Sequence, residues 1–347
     1  QINDNPVKWF EPGHRIRQAD MIVNEHFAGS YPAYLRFDAE AEGSFKNPEL
    51  LRYLADFQAH MEADPAVGKT ISLNAIVKTV LRELLGGDEA DFRVPDNRQA
   101  VAQTLLTYEG SHRPDDIFHF TTPDFRSGVV WFQLASGDNR QMSRVVQRAS
   151  DYLARNPAPV ELEAEWFGLT YINVVWQQQM VGGMGKALIS SFIVVFLLMA
   201  LLFRSVIWGL FCMVPLTLTI SLIYGLIGLV GKDYDMPVAV LSSLSLGLAV
   251  DYAIHFLARS REMRTKYNSW RETVGPVFGE PARAISRNII VIGVGFLPLI
   301  LAPLMPYKTV GVLISSILLI AGAASLLVLP ALLSTFARRV FKNEPSD

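Results

Sequence analysis

The sequence has little of what redox, metal or nucleic-acid chemistry requires. Its 347 residues include one cysteine, Cys212, so no disulfide can form within the chain. The histidines show no ligand spacing for a metal site. A net charge of −2 argues against a basic nucleic-acid binder, and the glycine-rich segments lie in apolar runs rather than in a phosphate-binding loop. We therefore expect no cofactor and no nucleic-acid partner.

Hydrophobic residues, in contrast, make up 50% of the chain and are unevenly distributed. Residues 1–180 carry many charges and prolines, whereas long charge-free runs dominate from Ala187 onward. This division predicts an N-terminal domain over residues 1–180 and a membrane domain over residues 181–347. The chain begins at Gln1 without an initiator methionine or an opening apolar segment, so we expect that residues upstream have been removed.

Five apolar runs reach the length of about 20 residues that crosses a bilayer as a helix. The predicted spans are Gly185 to Phe203, Val206 to Val230, Pro237 to Ala258, Ala284 to Leu304 and Thr309 to Phe336. Between the third and fourth runs, Arg261 to Glu280 is expected to form an interfacial amphipathic helix with Trp270 at headgroup level. The sequence thus predicts an all-α bundle of five transmembrane helices.

Lysine and arginine asymmetry predicts the orientation of these spans. Basic residues concentrate between the third and fourth runs and after the fifth, which places both segments in the cytoplasm. An odd number of crossings then places the N-terminal domain outside, in the periplasm if the source is a Gram-negative bacterium. We expect a multi-pass protein of the bacterial inner membrane with a cytoplasmic C-terminus.

The N-terminal domain alternates strand-like and helix-like segments. Strand, helix, helical insertion, strand, helix and strand form the pattern of a split βαβ, ferredoxin-like α+β domain. The last strand is expected to continue through Asn173 to Met184 into the first span. The segments are Ala33 to Ala39, Asn47 to Glu62, Leu73 to Leu85 with Asp96 to Tyr108, Gly128 to Leu134, Asn139 to Arg155, and Val160 to Leu169.

One carboxylate, Asp251, lies in the middle of the third apolar run. An aspartate at a helix centre costs about 2.5–3.5 kcal/mol on insertion scales, and such residues usually face a bundle interior or a water-filled path. Ser243, Gly247 and His255 follow at four-residue steps on the same helical face. The two small residues allow a second backbone to approach. With Tyr252, this arrangement is typical of a proton relay, although a structural aspartate that packs helices remains an alternative.

Polar residues in the last two runs are candidates to support Asp251. Ser286, Asn288 and Ser315 can hydrogen-bond to its carboxylate or to a water molecule beside it. The alternative is that their side chains bond to the helix backbone or face lipid.

Two segments resemble a known family. GLAVDYAIHFLARSREM, from Gly247 to Met263, resembles the signature span of the resistance-nodulation-division (RND) superfamily, most closely its MMPL and sterol-sensing-domain-like branch. The entry segment from Phe10 to Phe37 is similar to the start of a porter domain in that family. The resemblance implies the C-terminal half of a twelve-span exporter, with a second periplasmic porter domain and spans 8 to 12.

What the resemblance implies is proton-driven export rather than enzyme catalysis. In this family each half contributes a membrane carboxylate, and Asp251 and Tyr252 match the positions of the tenth span. The expected partners are protons, the bilayer, a hydrophobic or lipid-like substrate and the N-terminal half, which is absent from this sequence. Both monomers and homotrimers occur among similar proteins.

Two other function classes stay open. A sterol- or lipid-sensing receptor would bind the same ligands without moving them. An intramembrane aspartyl protease needs two membrane aspartates, and only one is visible in this sequence.

Overall fold

The chain folds into two compact units in a computed structural model that describes residues 5–111, 113–232 and 235–341. The N-terminal unit comprises Asn5–Val7 and Pro12–Gln177. The helical unit comprises Lys8–Glu11 and the chain from residue 178 onward. The described residues are mostly helical, with one small antiparallel sheet.

The sheet belongs to the N-terminal unit and has four strands. Its order is β2-β3-β1-β4, and all three neighbouring pairs are antiparallel. The long central pair runs from Tyr31 opposite Leu134 to Asp38 opposite Ser127. The strands are β1 (Tyr31–Ala39), β2 (Val67–Ile71), β3 (Ser127–Leu134) and β4 (Leu162–Phe167).

Among the described residues, five α-helices lie wholly within this unit. They are α1 (Arg15–His26), α2 (Pro48–Glu62), α3 (Leu73–Leu84), α4 (Arg98–Glu109) and α5 (Asn139–Arg155). Helix α1 precedes β1, α2 lies between β1 and β2, α3 and α4 lie between β2 and β3, and α5 lies between β3 and β4. Helix α3, helix α4 and two short 3-10 helices, at Glu89–Asp91 and Pro114–His119, connect β2 to β3.

Helix α2 shows why the sequence folds this way locally. Asn47 caps its first turn by accepting the N–H of Glu49 at 3.0 Å, and Pro48 occupies the first helical position. Its apolar residues recur at helical spacing, so that one face is buried. That face includes Leu50, Leu54, Phe57 and Met61.

The core of the N-terminal unit lies between the helices and one face of the sheet. Alternate residues of β1 and β3 point into it, among them Phe37 and Phe132, both fully buried. The ring of Phe57 meets these two side chains edge-on, at centroid distances of 5.7 and 6.3 Å. Helix α5 adds Met142, Val145 and Ala149 to the same core.

The other face of the sheet carries aromatic side chains at one end and charges at the other. Tyr34 lies 5.4 Å from the Trp131 ring and 5.1 Å from that of Phe167. On the edge strand β4, Glu165 accepts from Arg36 of β1 at 2.9 Å, and Asp38 faces Glu163 across the strands.

The predicted strands and helices of this unit are largely confirmed. The sequence prediction missed helix α1 and strand β2. It was wrong for Asn173 to Met184, which is helical rather than extended because helix α6 already begins at Leu169. The turn before it uses Gly168 at φ +97°, where a side chain would be strained and would meet the Tyr34 ring.

Among the described residues, five helices of the helical unit are long and apolar enough to cross a membrane. The first, α6, starts in the N-terminal unit and ends here. A 3-10 helix at Leu297–Leu301 follows α9, and the one-turn helix α11 (Ala337–Val340) follows α10. The long helices are α6 (Leu169–Phe203), α7 (Val206–Val230), α8 (Met236–Arg264), α9 (Trp270–Gly295) and α10 (Met305–Thr335).

The end of α8, the start of α9 and the end of α10 meet at one side of this unit, which we call the basic end. The Trp270 ring stacks 5.6 Å from Phe341, and the Arg264 guanidinium lies 5.4 Å from the same ring. The predicted separate interfacial helix over Arg261 to Glu280 is wrong. Helix α8 continues to Arg264, and α9 is one helix from Trp270 through Pro276 and Pro281.

At the start of α10, the segment Lys8–Glu11 packs against the same unit. Phe10 forms an isolated antiparallel bridge with Leu304, and Glu11 forms an ion pair with Lys308. These contacts hold the segment Lys8–Glu11 at the end of the helical unit where α10 begins.

Replacement of Phe132 by alanine tests the core of the N-terminal unit. We expect Phe132→Ala to lower the free energy of unfolding by about 3–5 kcal/mol, because a fully buried ring leaves a cavity. The measurement is chemical unfolding of the whole chain in detergent, followed by near-ultraviolet circular dichroism. Gln133→Ala, on the other face of the same strand, should change it little; equal losses would contradict the burial of Phe132.

His60, in the last turn of α2, predicts that the stability of the N-terminal unit depends on pH. Burial and the nearby Arg148 and Arg155 lower the pKa of His60 below its usual value. The unfolded chain therefore binds more protons than the folded one near and below a pH of about 6.5, so stability should fall as the pH drops through that range. The slope of the unfolding midpoint against pH should be smaller in His60→Gln and unchanged in His26→Gln.

Candidate functional site

The candidate site lies on helix α8, whose start is fixed by a side-chain cap. Asp235 accepts the N–H of Val238 at 3.2 Å, and Pro237 occupies the first turn. Lys232 pairs with the Asp235 carboxylate at 2.9 Å. This cap fixes the residue at which α8 begins, immediately before its apolar segment.

Asp251 lies at the centre of the candidate span Pro237–Arg264, which has 28 residues. At 1.5 Å per residue, its Cα is about 20 Å from either end of the span. Arg259, the nearest arginine, lysine or acidic residue of α8, is eight residues away, about 12 Å along the helix, so the carboxylate lies within the apolar part of the span. The charge needs protein groups or an internal water path.

One face of α8 is packed into the helical unit, against α7, α9 and α10. Its residues recur at helical spacing and are apolar except for one tyrosine and one serine. They are Leu246, Ala249, Val250, Tyr252, Ala253, Phe256, Leu257 and Ser260.

The opposite face of α8 is not covered by the described residues, and we call it the open face. It contains Gly247, Asp251 and His255, all exposed and spaced four residues apart. Apart from the neighbouring backbone of α8 itself, no described atom would lie within 4 Å of a Cβ added at Gly247. Within residues 5–111, 113–232 and 235–341, no side chain donates a hydrogen bond to the Asp251 carboxylate or pairs with it.

The structure separates two residues that the sequence analysis grouped. Tyr252 is only 3% exposed and points into the packed face, because consecutive helical residues differ by about 100° in direction. Asp251 and His255 share the open face instead. Ser243 belongs to the same helix, but its side chain lies outside the described part of the structure.

In the described structure, none of the three predicted support residues is hydrogen-bonded to Asp251. The Ser286 hydroxyl donates to the carbonyl of Ala282 in its own helix at 2.8 Å. The buried Ser315 hydroxyl donates to the carbonyl of Gly293 at 2.7 Å, which joins α10 to α9. Asn288 is exposed on α9. Ser286 and Ser315 therefore satisfy backbone groups in this conformation, as the alternative in the sequence analysis foresaw.

The packing behind α8 depends on glycines that the sequence analysis did not single out. A Cβ at Gly322 of α10 would lie 2.1 Å from Ile289 of α9, so the two helices approach closely there. Gly311 is similarly close to the backbone of Phe296. In the sequence, the small size of these two residues is the signal that could have indicated a close approach of helices.

A model of the MMPL family matches residues 41–346, which include the N-terminal unit after β1 and all five long helices of the helical unit. The chain belongs to the MMPL family. The resemblance read from the segment Gly247 to Met263 is thereby confirmed. With five candidate membrane helices, this family member is a multi-pass membrane protein.

Individual relatives agree with this assignment. Membrane protein MJ1562 of Methanocaldococcus jannaschii is 25% identical over 206 residues, 59% of this chain and 53% of the relative. Membrane protein ActII-3 of Streptomyces coelicolor is 26% identical over 161 residues, 45% of this chain and 23% of the relative.

Among solved structures, the fold is similar to the hedgehog release protein Disp from the water bear Hypsibius dujardini. The TM-score is 0.53 at 15% identity, over 94% of this chain and 44% of that protein. This likeness concerns the fold alone. The chain spans about half the length of the archaeal relative and less than half of Disp.

The two-faced geometry of α8 predicts unequal effects of neighbouring substitutions. Tyr252→Ala should destabilise the helical unit by on the order of 3 kcal/mol, because it empties a packed position. Asp251→Asn should change stability by less than about 0.5 kcal/mol, because nothing described packs on that side chain. The measurement is thermal unfolding in detergent, with Tyr267→Ala as an exposed tyrosine control. A large loss for Asp251→Asn would contradict the open face.

Proposed function

We propose that this protein is part of a proton-driven transporter that exports hydrophobic or lipid-like molecules, and that it is not an enzyme. The observation that carries the proposal is Asp251, a carboxylate at mid-span on the open face of α8, with His255 one turn nearer the basic end. Membership of the MMPL family supports a role in membrane transport.

The chemistry required of Asp251 is reversible protonation. A second protein surface over the open face would enclose the carboxylate, and the relay requires it to bind and release a proton there. The His255 imidazole lies on the same face and can pass or orient a proton between Asp251 and water at the basic end. Tyr252 then has a supporting role through packing that fixes the rotation of α8.

Proton movement can drive a change in the protein. One charge that crosses a potential of 100 mV releases about 2.3 kcal/mol. If Asp251 is protonated in one conformation and ionised in another, that energy shifts the balance between the two. The N-terminal unit would change its access state in response.

The proposed cover of the open face is a second helical bundle, the N-terminal half of the same protein. A lipid surface would leave the Asp251 carboxylate in hydrocarbon, which is unfavourable. Gly247 leaves room for another helix to approach at the level of Asp251. The greater length of MJ1562 and Disp supports this arrangement, in which the partner half would supply a second carboxylate. A homo-oligomer of such complete proteins is compatible with it.

We interpret the N-terminal unit as a ferredoxin-like porter domain, with residues 1–180 as the domain and 181–347 as the membrane part. The strand order β2-β3-β1-β4 and the helices α2 and α5 after β1 and β3 support a split βαβ arrangement. Helices α3 and α4 would be the insertion.

The proposed location is the bacterial inner membrane, with the N-terminal unit in the periplasm. Arginines concentrate where α8 and α10 end and α9 begins, which supports a cytoplasmic basic end and C-terminus.

The decisive measurement is flux in proteoliposomes that contain the complete protein. A fluorescent phospholipid should move when a pH gradient is imposed and should stop when an uncoupler removes the gradient. Asp251→Asn should reduce gradient-driven flux to the level of protein-free liposomes, because an amide cannot carry the proton. Glu280→Gln, a carboxylate change at the exposed surface of α9, is the matched control and should keep the flux.

Gradient-driven flux that survives in Asp251→Asn would refute the relay. Specific lipid binding by the unmodified protein without any flux would instead favour the lipid-sensing receptor.

A further inference from the structure

A cleft of about 880 Å³ opens at the basic end, between the start of α9 and the end of α10. Its lining combines three arginines with polar and apolar side chains. The residues used below are Trp270, Arg271, Ser334, Phe336, Arg338 and Arg339.

The floor of the cleft is held by contacts between the two helices. The Trp270 ring N–H donates to the Ser334 hydroxyl at 2.8 Å, and the buried ring stacks on Phe341. The Thr273 hydroxyl donates to the carbonyl of Ser269 at 2.7 Å and closes the first turn of α9. The arginines therefore project from a fixed frame rather than from a free loop.

The charge of the cleft is positive. Arg271, Arg338 and Arg339 are exposed, and none pairs with a carboxylate among residues 5–111, 113–232 and 235–341. The one carboxylate in the lining, Glu272, is engaged with the backbone, because it accepts the N–H of Asn268 at 3.3 Å. Several guanidinium groups around one cavity favour a multivalent oxyanion, since each presents a fork of N–H donors.

Apolar surface lies beside these cations. Val274 of α9 and Phe336, which is 38% exposed, line the same cleft, and both belong to or follow candidate membrane helices. A ligand with a phosphate group and acyl chains matches both parts of this lining, whereas a soluble anion uses only the arginines. Basic pockets between membrane helices are known binding places for anionic lipid headgroups.

We propose that this cleft binds the headgroup phosphate of an anionic phospholipid, with Arg271, Arg338 and Arg339 as its ligands. The site is separate from Asp251 and does not rest on the transport proposal. The arginines of the basic end would then hold a specific lipid in addition to orienting the helices.

Lipid retention by the complete, detergent-purified protein tests this. Phosphatidylglycerol and phosphatidylcholine with identical acyl chains are titrated in turn, and bound lipid is counted by native mass spectrometry. Phosphatidylglycerol should bind more tightly, and Arg271→Gln with Arg338→Gln should weaken it by about tenfold or more, as expected for the loss of charge-assisted hydrogen bonds. Arg339→Gln alone should weaken it by a smaller factor.

The matched control is Arg283→Gln with Arg287→Gln, which removes the same charge from exposed positions of α9 outside the cleft lining. It should leave phosphatidylglycerol binding unchanged. Equal loss in the control and cleft variants would overturn the proposal in favour of non-specific surface charge. Equal binding of the two lipids, or full displacement by inorganic phosphate at the lipid concentration used, would also overturn it.

Discussion

A carboxyl group in the apolar part of a membrane helix must be shielded from hydrocarbon, and much of the helical unit can be understood from this constraint. Asp251 lies in the apolar middle of its span, where a carboxylate without protein partners or an internal water path is unfavourable. Helix α8 meets the constraint by having two unlike faces. The packed face fixes the helix in place, and the open face leaves the carboxylate for a surface that remains to be brought against it.

The rest of the bundle holds α8 in that rotation. Tyr252 is inserted among the buried side chains one residue after Asp251, so a turn of the helix that moved the carboxylate would also remove the tyrosine from its packing. Behind it, α9 and α10 approach closely at Gly322 and are joined by the bond from Ser315 to the carbonyl of Gly293. The bond between α9 and α10 thus joins two uncharged polar groups, the Ser315 hydroxyl and the Gly293 carbonyl.

The sequence predicted the features that depend on long patterns. Apolar runs of 20 residues identified the five membrane helices, and the four-residue spacing placed Gly247, Asp251 and His255 on one face. Short or locally ambiguous features were missed. Strand β2 has only five residues and includes Gly68 and Lys69, so its pattern is weak. Helix α9 continues through Pro276 and Pro281, although proline normally suggests a break.

The partners of individual side chains were also beyond the sequence. Spacing alone does not indicate that the Ser315 hydroxyl bonds to Gly293 rather than reaching Asp251, because that depends on how α9 and α10 rotate. In the same way, the adjacency of Asp251 and Tyr252 in the chain suggested a shared role, while helix geometry directs them to different surroundings.

The edge of the sheet in the N-terminal unit has a consequence for solubility. In the described part of the chain, the one strand that pairs with β4 is β1, so the other side of β4 is an edge of the sheet at which an extended segment could add. Glu163 and Glu165 stand on that strand, and two copies joined edge to edge would bring like charges together. Such repulsion discourages the growth of the sheet from one molecule into the next, which matters for proteins crowded side by side on a membrane surface.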